Sequence, residues 1–128
     1  MKRATVFNLV LLACLATLFS CSSALKIMGF ESRKFDPDDA AMRNMATLKP
    51  ALDLSEQQEK ELYRLHRKYY KSLLSDMKRY EDGAIDGHEL ELRASVLGFK
   101  TVRKAQQLLS PPQFEKYRQW ARQEGIIK

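Results

Sequence analysis

Two pentapeptides of nearly the same form, Leu54-Ser55-Glu56-Gln57-Gln58 and Leu109-Ser110-Pro111-Pro112-Gln113, punctuate this chain, and both read L-S-x-x-Q. In each, the Ser oxygen can accept from the amide three residues on, while the Gln side chain returns to the Ser amide. That reciprocal pair is a capping box, so each motif predicts the start of a helix. Leu109 before the second box and Phe114 four positions inside it can form a hydrophobic staple. Pro111 stands at the first helical position, where a missing amide costs nothing.

Outward from these motifs the pattern stays helical. After Ser55, Leu62, Leu65, Tyr69, Leu73, Met77 and Tyr80 recur at three or four residues, with Tyr63, Tyr70 and Leu74 widening the stripe. Glu81-Asp82-Gly83 closes that helix. Asp86-Gly87-His88-Glu89 offers a further box with a staple between Ile85 and Leu90, and Leu90, Ala94, Leu97, Thr101, Ala105 and Leu108 give the next stripe, with Val96 and Phe99 beside it. After Ser110, Phe114, Tyr117 and Trp120 or Ala121 line one face. Gly125 is placed to end the last helix, and Pro112 predicts a kink between this segment and the one before it. Upstream, Asp36-Pro37-Asp38-Asp39 reads as a cap, a proline at the first helical position and two acids on the positive end of the dipole. Met42, Met45 and Leu48 then make a short stripe expected to stop at Pro50.

Composition agrees. The chain has 128 residues, 45% of them hydrophobic, with only 5 Gly and 4 Pro, which suits one small all-α domain and disfavours sheet architectures. The short link between the two longest helices predicts a long antiparallel hairpin flanked by shorter helices. So small a hairpin cannot easily bury such broad stripes by itself, which predicts a homodimer.

The first 20 residues stand apart: Lys2 and Arg3 precede an apolar run from Val6 to Phe19 that ends in Ser20 and Cys21, the pattern of a secretion signal. The run is shorter than the roughly 20 residues a membrane-spanning helix needs. Leu18-Phe19-Ser20-Cys21 resembles the lipobox of bacterial lipoproteins, which implies cleavage before Cys21 and acylation of its sulfur. Cleavage after Ala24 is the competing reading. Cys14 lies inside the leader, so Cys21 is the only thiol of the mature chain, and an exported chain with one unpaired Cys favours a used sulfur. The lipobox resemblance implies at least two acyl chains, enough for stable anchoring, and Ser22 in place of an inner-membrane retention Asp favours the outer membrane. Residues 21–35 then read as the lipidated N-terminus and a tether, and residues 36–128 as the helical domain. The formal charge of +6 falls by two when Lys2 and Arg3 leave with the leader, a modest balance that suits anionic lipid or acidic partners.

The paired L-S-x-x-Q boxes, flanking a hairpin in an exported chain, resemble the LTxxQ motif of the Spy/CpxP-like periplasmic proteins over roughly residues 50–122. Ser stands in both boxes where that family has Thr, and Pro112 stands where an acid is common. The resemblance implies an all-helical domain that dimerises into a curved cradle. It also implies ATP-independent chaperone or stress-adaptor activity on unfolded envelope proteins or the domain of a sensor kinase. The direct role of Leu54, Ser55, Gln58, Leu109, Ser110 and Gln113 is expected to be capping and pinning of the helices.

The surface they organise carries Arg64, Arg67, Lys68, Lys71, Lys78 and Arg79, interleaved with Tyr63, His66, Tyr69 and Tyr70. Cations with aromatics suit a flexible, partly unfolded chain, so Arg64, Arg67, Lys68, Tyr70, Lys71, Lys78 and Arg79 are the client-binding candidates. A solvated helix face over core tyrosines is the plainer reading. Nucleic acid, which also favours basic faces, is not met by an exported lipoprotein.

Signatures of catalysis are absent: there is no G-x-S-x-G, phosphate loop or H-E-x-x-H, and no enzyme or cofactor is expected. His66 and His88 are the only imidazoles and lack a tight ligand spacing, which leaves them as weak metal candidates, His88 with Glu89 and Glu91 beside it. The segment from Asp82 is not a calcium loop, because Ala84 and Arg93 fall where ligands are required. A divalent-metal sensor and a purely structural envelope lipoprotein, the latter suggested by the terminal Lys128, are the alternatives in other functional classes.

Overall fold

The computed structural model describes residues 34–128; the leader, Cys21 and the tether as far as residue 33 lie outside them. Those described residues are all-helical: α1 (Pro37–Leu52), α2 (Glu56–Glu81), α3 (Gly87–Leu108) and α4 (Pro111–Gln123). Among them no helix is long and apolar enough to cross a membrane. Helix α2 packs against both α1 and α3, and α4 closes on α1 and α3.

Each helix begins where its cap predicts. Asp36 accepts from the Asp38 amide at 2.9 Å, with Pro37 following it. Asp86 accepts from the Glu89 amide at 2.8 Å, yet the box there is only half made: the Glu89 carboxylate turns to Arg93 at 2.9 Å instead of returning to its cap. Ile85 and Leu90 on either side of that cap are both buried.

The two L-S-x-x-Q motifs do more than cap. Ser55 and its Gln58 exchange both bonds of the box, as do Ser110 and Gln113. The two glutamines also grip each other: Gln58 Nε2 donates to Gln113 Oε1 at 2.9 Å and Gln113 Nε2 donates to Gln58 Oε1 at 3.1 Å. Each then reaches the helix end that precedes the other motif. Gln58 Nε2 donates to the Leu108 carbonyl at 3.1 Å, and Gln113 Nε2 donates to the Leu52 carbonyl at 3.1 Å. The last carbonyls of α1 and α3, orphaned by the end of their helices, thus receive donors from the first turns of α4 and α2. Leu54 and Leu109, the leading residues of the motifs, are buried in the core below.

Two expectations for α1 need correction. The helix does not stop at Pro50 but runs through it to Leu52. Pro50 has no amide to return to the Ala46 carbonyl, but both residues sit on the exposed side in the final turns, where water reaches the backbone. The helix ends instead at Asp53, whose left-handed backbone (φ 52°) turns its own amide, with that of Leu54, onto the Lys49 carbonyl. The buried stripe keeps Met45 and Leu48 but takes Ala41 in place of Met42. Ala41, Met45, Leu48 and Leu52 face the core, while Met42 is 62% exposed.

On α3, Val96 and Phe99 do not join the core. Leu90, Thr101, Val102 and Ala105 do, together with Gly98, where an added Cβ would stand 1.9 Å from the Ile126 carbonyl oxygen. The C-terminal tail crosses α3 at that glycine. Gly125 (φ 73°) turns the chain into the crossing, and the Ile126 amide closes on the Ala121 carbonyl at 2.9 Å. Between α3 and α4 the expected kink is a full break, with Leu109 and Ser110 both extended.

The reciprocal glutamines make a direct prediction. Gln58→Ala and Gln113→Ala should each cost about 1–3 kcal/mol in urea unfolding, because each strands a helix-end carbonyl as well as its partner amide. The double variant should cost less than the two together, by roughly 1 kcal/mol, since the second loss removes a group already without its partner.

Candidate functional site

Helix α2 is divided lengthwise. Its inward face carries Leu62, His66, Tyr69 and Met77, and its outward face carries Lys60, Arg64, Lys68 and Lys71.

The inward face is the less ordinary. His66 is only 1% exposed and is held from three sides. The Asn44 amide nitrogen of α1 lies 3.0 Å from Nδ1, the Tyr117 hydroxyl of α4 lies 2.8 Å from Nε2, and the Trp120 ring stacks over the imidazole at 5.4 Å and 15°. The same Asn44 amide donates to the Tyr70 hydroxyl at 2.8 Å. With Asn44 donating to Nδ1, the ring carries its proton on Nε2 and donates it to Tyr117. One neutral imidazole therefore joins α1, α2 and α4. Burial drives its pKa down to about 4 and pushes the Tyr69 phenol up to about 12; the Tyr70 and Tyr117 phenols are raised for the same reason.

This removes His66 from the surface on which the sequence reading set it and leaves Tyr70 only partly on it. His66 belongs to the core, with both ring nitrogens engaged and no lone pair left for a metal. Tyr70 is half-buried, packed against Phe35 and Tyr69 and bound to Asn44. The spacing from Leu62 to His66 to Tyr69, four residues and then three, was the available signal that His66 shares the buried face. His88 is exposed in the first turn of α3. Among the described residues no three His, Cys, Asp or Glu side chains gather to hold a metal ion.

On the outward face, Lys60, Arg64, Arg67, Lys68 and Lys71 line an open groove of about 500 Å³ with Tyr63 and Ser72. Lys60 is a member that the sequence reading passed over. Arg67 is ion-paired with Asp38 at the start of α1. Lys60, Arg64, Lys68 and Lys71 have no ion-pair partner among the described residues. Arg79 lies 3.9 Å from Asp76, which also meets Arg93 at 3.6 Å, and neither Arg79 nor Lys78 lines the groove.

A second open groove, of about 550 Å³, lies between α1 and α2. It is lined by the apolar Met42, Met45, Ala46 and Pro50, and at one end by Glu56 and Glu59, the latter bound to Lys49 at 2.6 Å. Lys60 and Tyr63 line both grooves, so the apolar channel and the cationic stripe meet at these two residues. No protein-family model, curated protein or solved structure matches this chain.

The neutral His66 sets an acid limit on the fold. Its pKa in the folded chain lies below that of an exposed imidazole, so the stability it brings is present above about pH 6.5 and is lost as pH falls toward 4. Over that window the loss should reach roughly 3 kcal/mol. Denaturant unfolding at stepwise lower pH should show this slope. His66→Gln should flatten it between pH 6.5 and 4, at the cost of lower stability at neutral pH.

Proposed function

We propose that this chain is a lipid-anchored envelope protein that holds unfolded proteins, or a partner's sensor domain, by reversible ATP-independent binding. The observation that carries the reading is the surface on α1 and α2: four cations in a row with no ion-pair partner among the described residues, meeting at Lys60 an apolar channel that exposes Met42, Ala46 and Pro50. Unpaired charge draws a partner from a distance and speeds encounter, while shallow apolar contact holds it weakly enough to let go. Neither groove encloses a small molecule. A surface of this kind suits a chain laid along it.

The interlocked L-S-x-x-Q boxes support the likeness to the Spy/CpxP-like proteins, since they act as paired structural clasps at corresponding places before α2 and α4. In this reading α2 and α3 form the long hairpin of the cradle, Cys21 carries the anchor at the outer membrane, and the tether leaves the domain facing the periplasm. No catalytic step is involved.

A homodimer belongs to the same proposal. Leu92, Val96 and Phe99 are 57%, 46% and 60% exposed and recur at four and three residues, which gives α3 an apolar stripe directed away from the core. Such a stripe on an otherwise charged helix marks an association surface.

Two outcomes follow from this reading. Aggregation of a chemically unfolded model protein, followed by light scattering without nucleotide, should be suppressed near stoichiometric amounts of the mature chain. Reversing Arg64, Lys68 and Lys71 to Glu should abolish that suppression without changing the helical circular dichroism. In sedimentation the chain should run as a dimer at tens of micromolar, and Val96→Glu with Phe99→Glu should convert it to a monomer that melts at nearly the same temperature.

A further inference from the structure

The exposed positions of α2 fall on one line. From residue 60 to residue 78 they are Lys60, Arg64, Lys68, Lys71, Ser75 and Lys78, every one a cation except the serine. Their steps average about 3.6 residues, one turn of the helix, so the line runs straight along the axis for about 27 Å. None of these cations has an ion-pair partner among the described residues. Two acids share the span and neither stands on the line: Asp76 meets Arg79 and Arg93, and Glu61 accepts from the Gln57 amide. At the neighbouring start of α1, Asp38 is held by Arg67 and Asp39 by Arg43. The helix thus presents a straight ridge of positive charge that continues past the groove to Lys78.

We propose that this ridge docks on the anionic phospholipid headgroups of the membrane that carries the anchor, so that the domain lies with α2 along the lipid surface. A small anion is held by donors that converge on it, whereas these cations stand in a row on one helix edge and meet a flat, repeating array of negative groups together. The entry of the chain favours lipid over a polyanion in solution. The Phe35 ring packs 5.7 Å from the ring of Tyr70, which precedes Lys71, and Asp38 is paired with Arg67, so the chain joins the domain beside the middle of the ridge. Cys21 is 14 residues upstream of Phe35, at most about 50 Å of chain. An anchor there keeps the ridge within constant reach of headgroups, at a high effective concentration. The inference rests on the anchored part of the proposed function and adds to it the orientation of the domain. The same cations draw clients in that reading, so lipid and client compete for them.

The test uses the mature chain with its own anchor, reconstituted into vesicles of phosphatidylcholine alone or with about one-third phosphatidylglycerol. Vesicle flotation reads the anchor, and the rate of acetylation of each lysine, read by mass spectrometry, reports which face meets lipid. Lys60, Lys68, Lys71 and Lys78 should react about threefold more slowly on the anionic vesicles than on the neutral ones. Lys104 of α3 and Lys116 of α4, also exposed, should react alike on both. Raising salt to ~0.5 M should erase the difference while the chain stays on the vesicles. Arg64→Glu with Lys71→Glu should return Lys60, Lys68 and Lys78 to the rates they show on neutral lipid.

Equal rates on the two kinds of vesicle, with the chain floating on both, overturn the inference and leave the anchored reading standing. Slowing of Lys104 and Lys116 to the same extent as the ridge overturns it too, because lipid then meets no particular face. Flotation with anionic vesicles only, lost in salt, supports the ridge and removes the anchor; flotation with neither removes both. A polyglutamate peptide that protects the ridge lysines on neutral vesicles, and is not displaced when phosphatidylglycerol is included, would assign the ridge to an acidic protein segment and overturn the inference as well.

Discussion

The fold depends on a pair of glutamines that satisfy each other. A helix start leaves amides unpaired and a helix end leaves carbonyls unpaired, and a four-helix chain with short links must deal with both at every junction. Here Gln58 and Gln113 deal with both at once. Each accepts from its own cap, exchanges a bond with the other, and donates to the carbonyl at the end of α3 or α1. Two junctions far apart in sequence become a single hydrogen-bonded unit. The direction in which α1 enters α2 is thereby tied to the direction in which α3 enters α4, before any packing of the apolar faces is considered.

Packing then explains why α2 has two faces of opposite character. His66 sits where a leucine would be the simple choice, and it brings a need for two hydrogen-bond partners into the core. Asn44 and Tyr117 meet that need from different helices, so the imidazole fixes the register of α1 and α4 on α2 in a way that apolar contact alone does not. Trp120 covers the ring and keeps water from it. With its polar requirements met inside, α2 is free to carry unpaired cations outside. Only Arg67, at the edge between the two faces, is drawn to the α1 cap region by Asp38.

The helix starts were legible in the sequence because capping is local: Asp36, Ser55, Asp86 and Ser110 each act within three residues of themselves. So was the all-α class, from spacing and composition. What the sequence hid was non-local. Pro50 reads as a stop until Asp53 supplies a better one. Met42 outranks Ala41 as a core residue by hydrophobicity, and only the phase set by Met45, Leu48 and Leu52 reverses that order. Gly98 carries no signal at all on its own helix, since the reason for it is the Ile126 carbonyl arriving from the end of the chain. The grip of Gln58 on Gln113 is similarly invisible in either motif taken singly, although the repetition of the motif was the mark that both ends serve one structure.

The candidate site was legible in part, and the division follows from the same physics. Charged residues on long stems declare themselves, because a cation without a partner stays in water wherever the fold allows it. Arg64, Lys68 and Lys71 needed no structure to be found. Aromatic residues do not declare themselves, because a tyrosine or histidine serves equally as wall or as surface. His66 went to the interior, whereas Tyr63 and Tyr70 are both half-buried, Tyr63 at the rim of the grooves and Tyr70 bound to Asn44, and the sequence reading set all three together. The deciding quantity was the number of hydrogen-bond partners within reach: where Asn44 stands opposite, burial of a ring with polar atoms costs little, and where only solvent stands opposite, the ring remains at the rim of a groove. A basic and aromatic helix therefore divides according to the polar residues of its neighbours, and α1, through Asn44 and Asp38, made that division here.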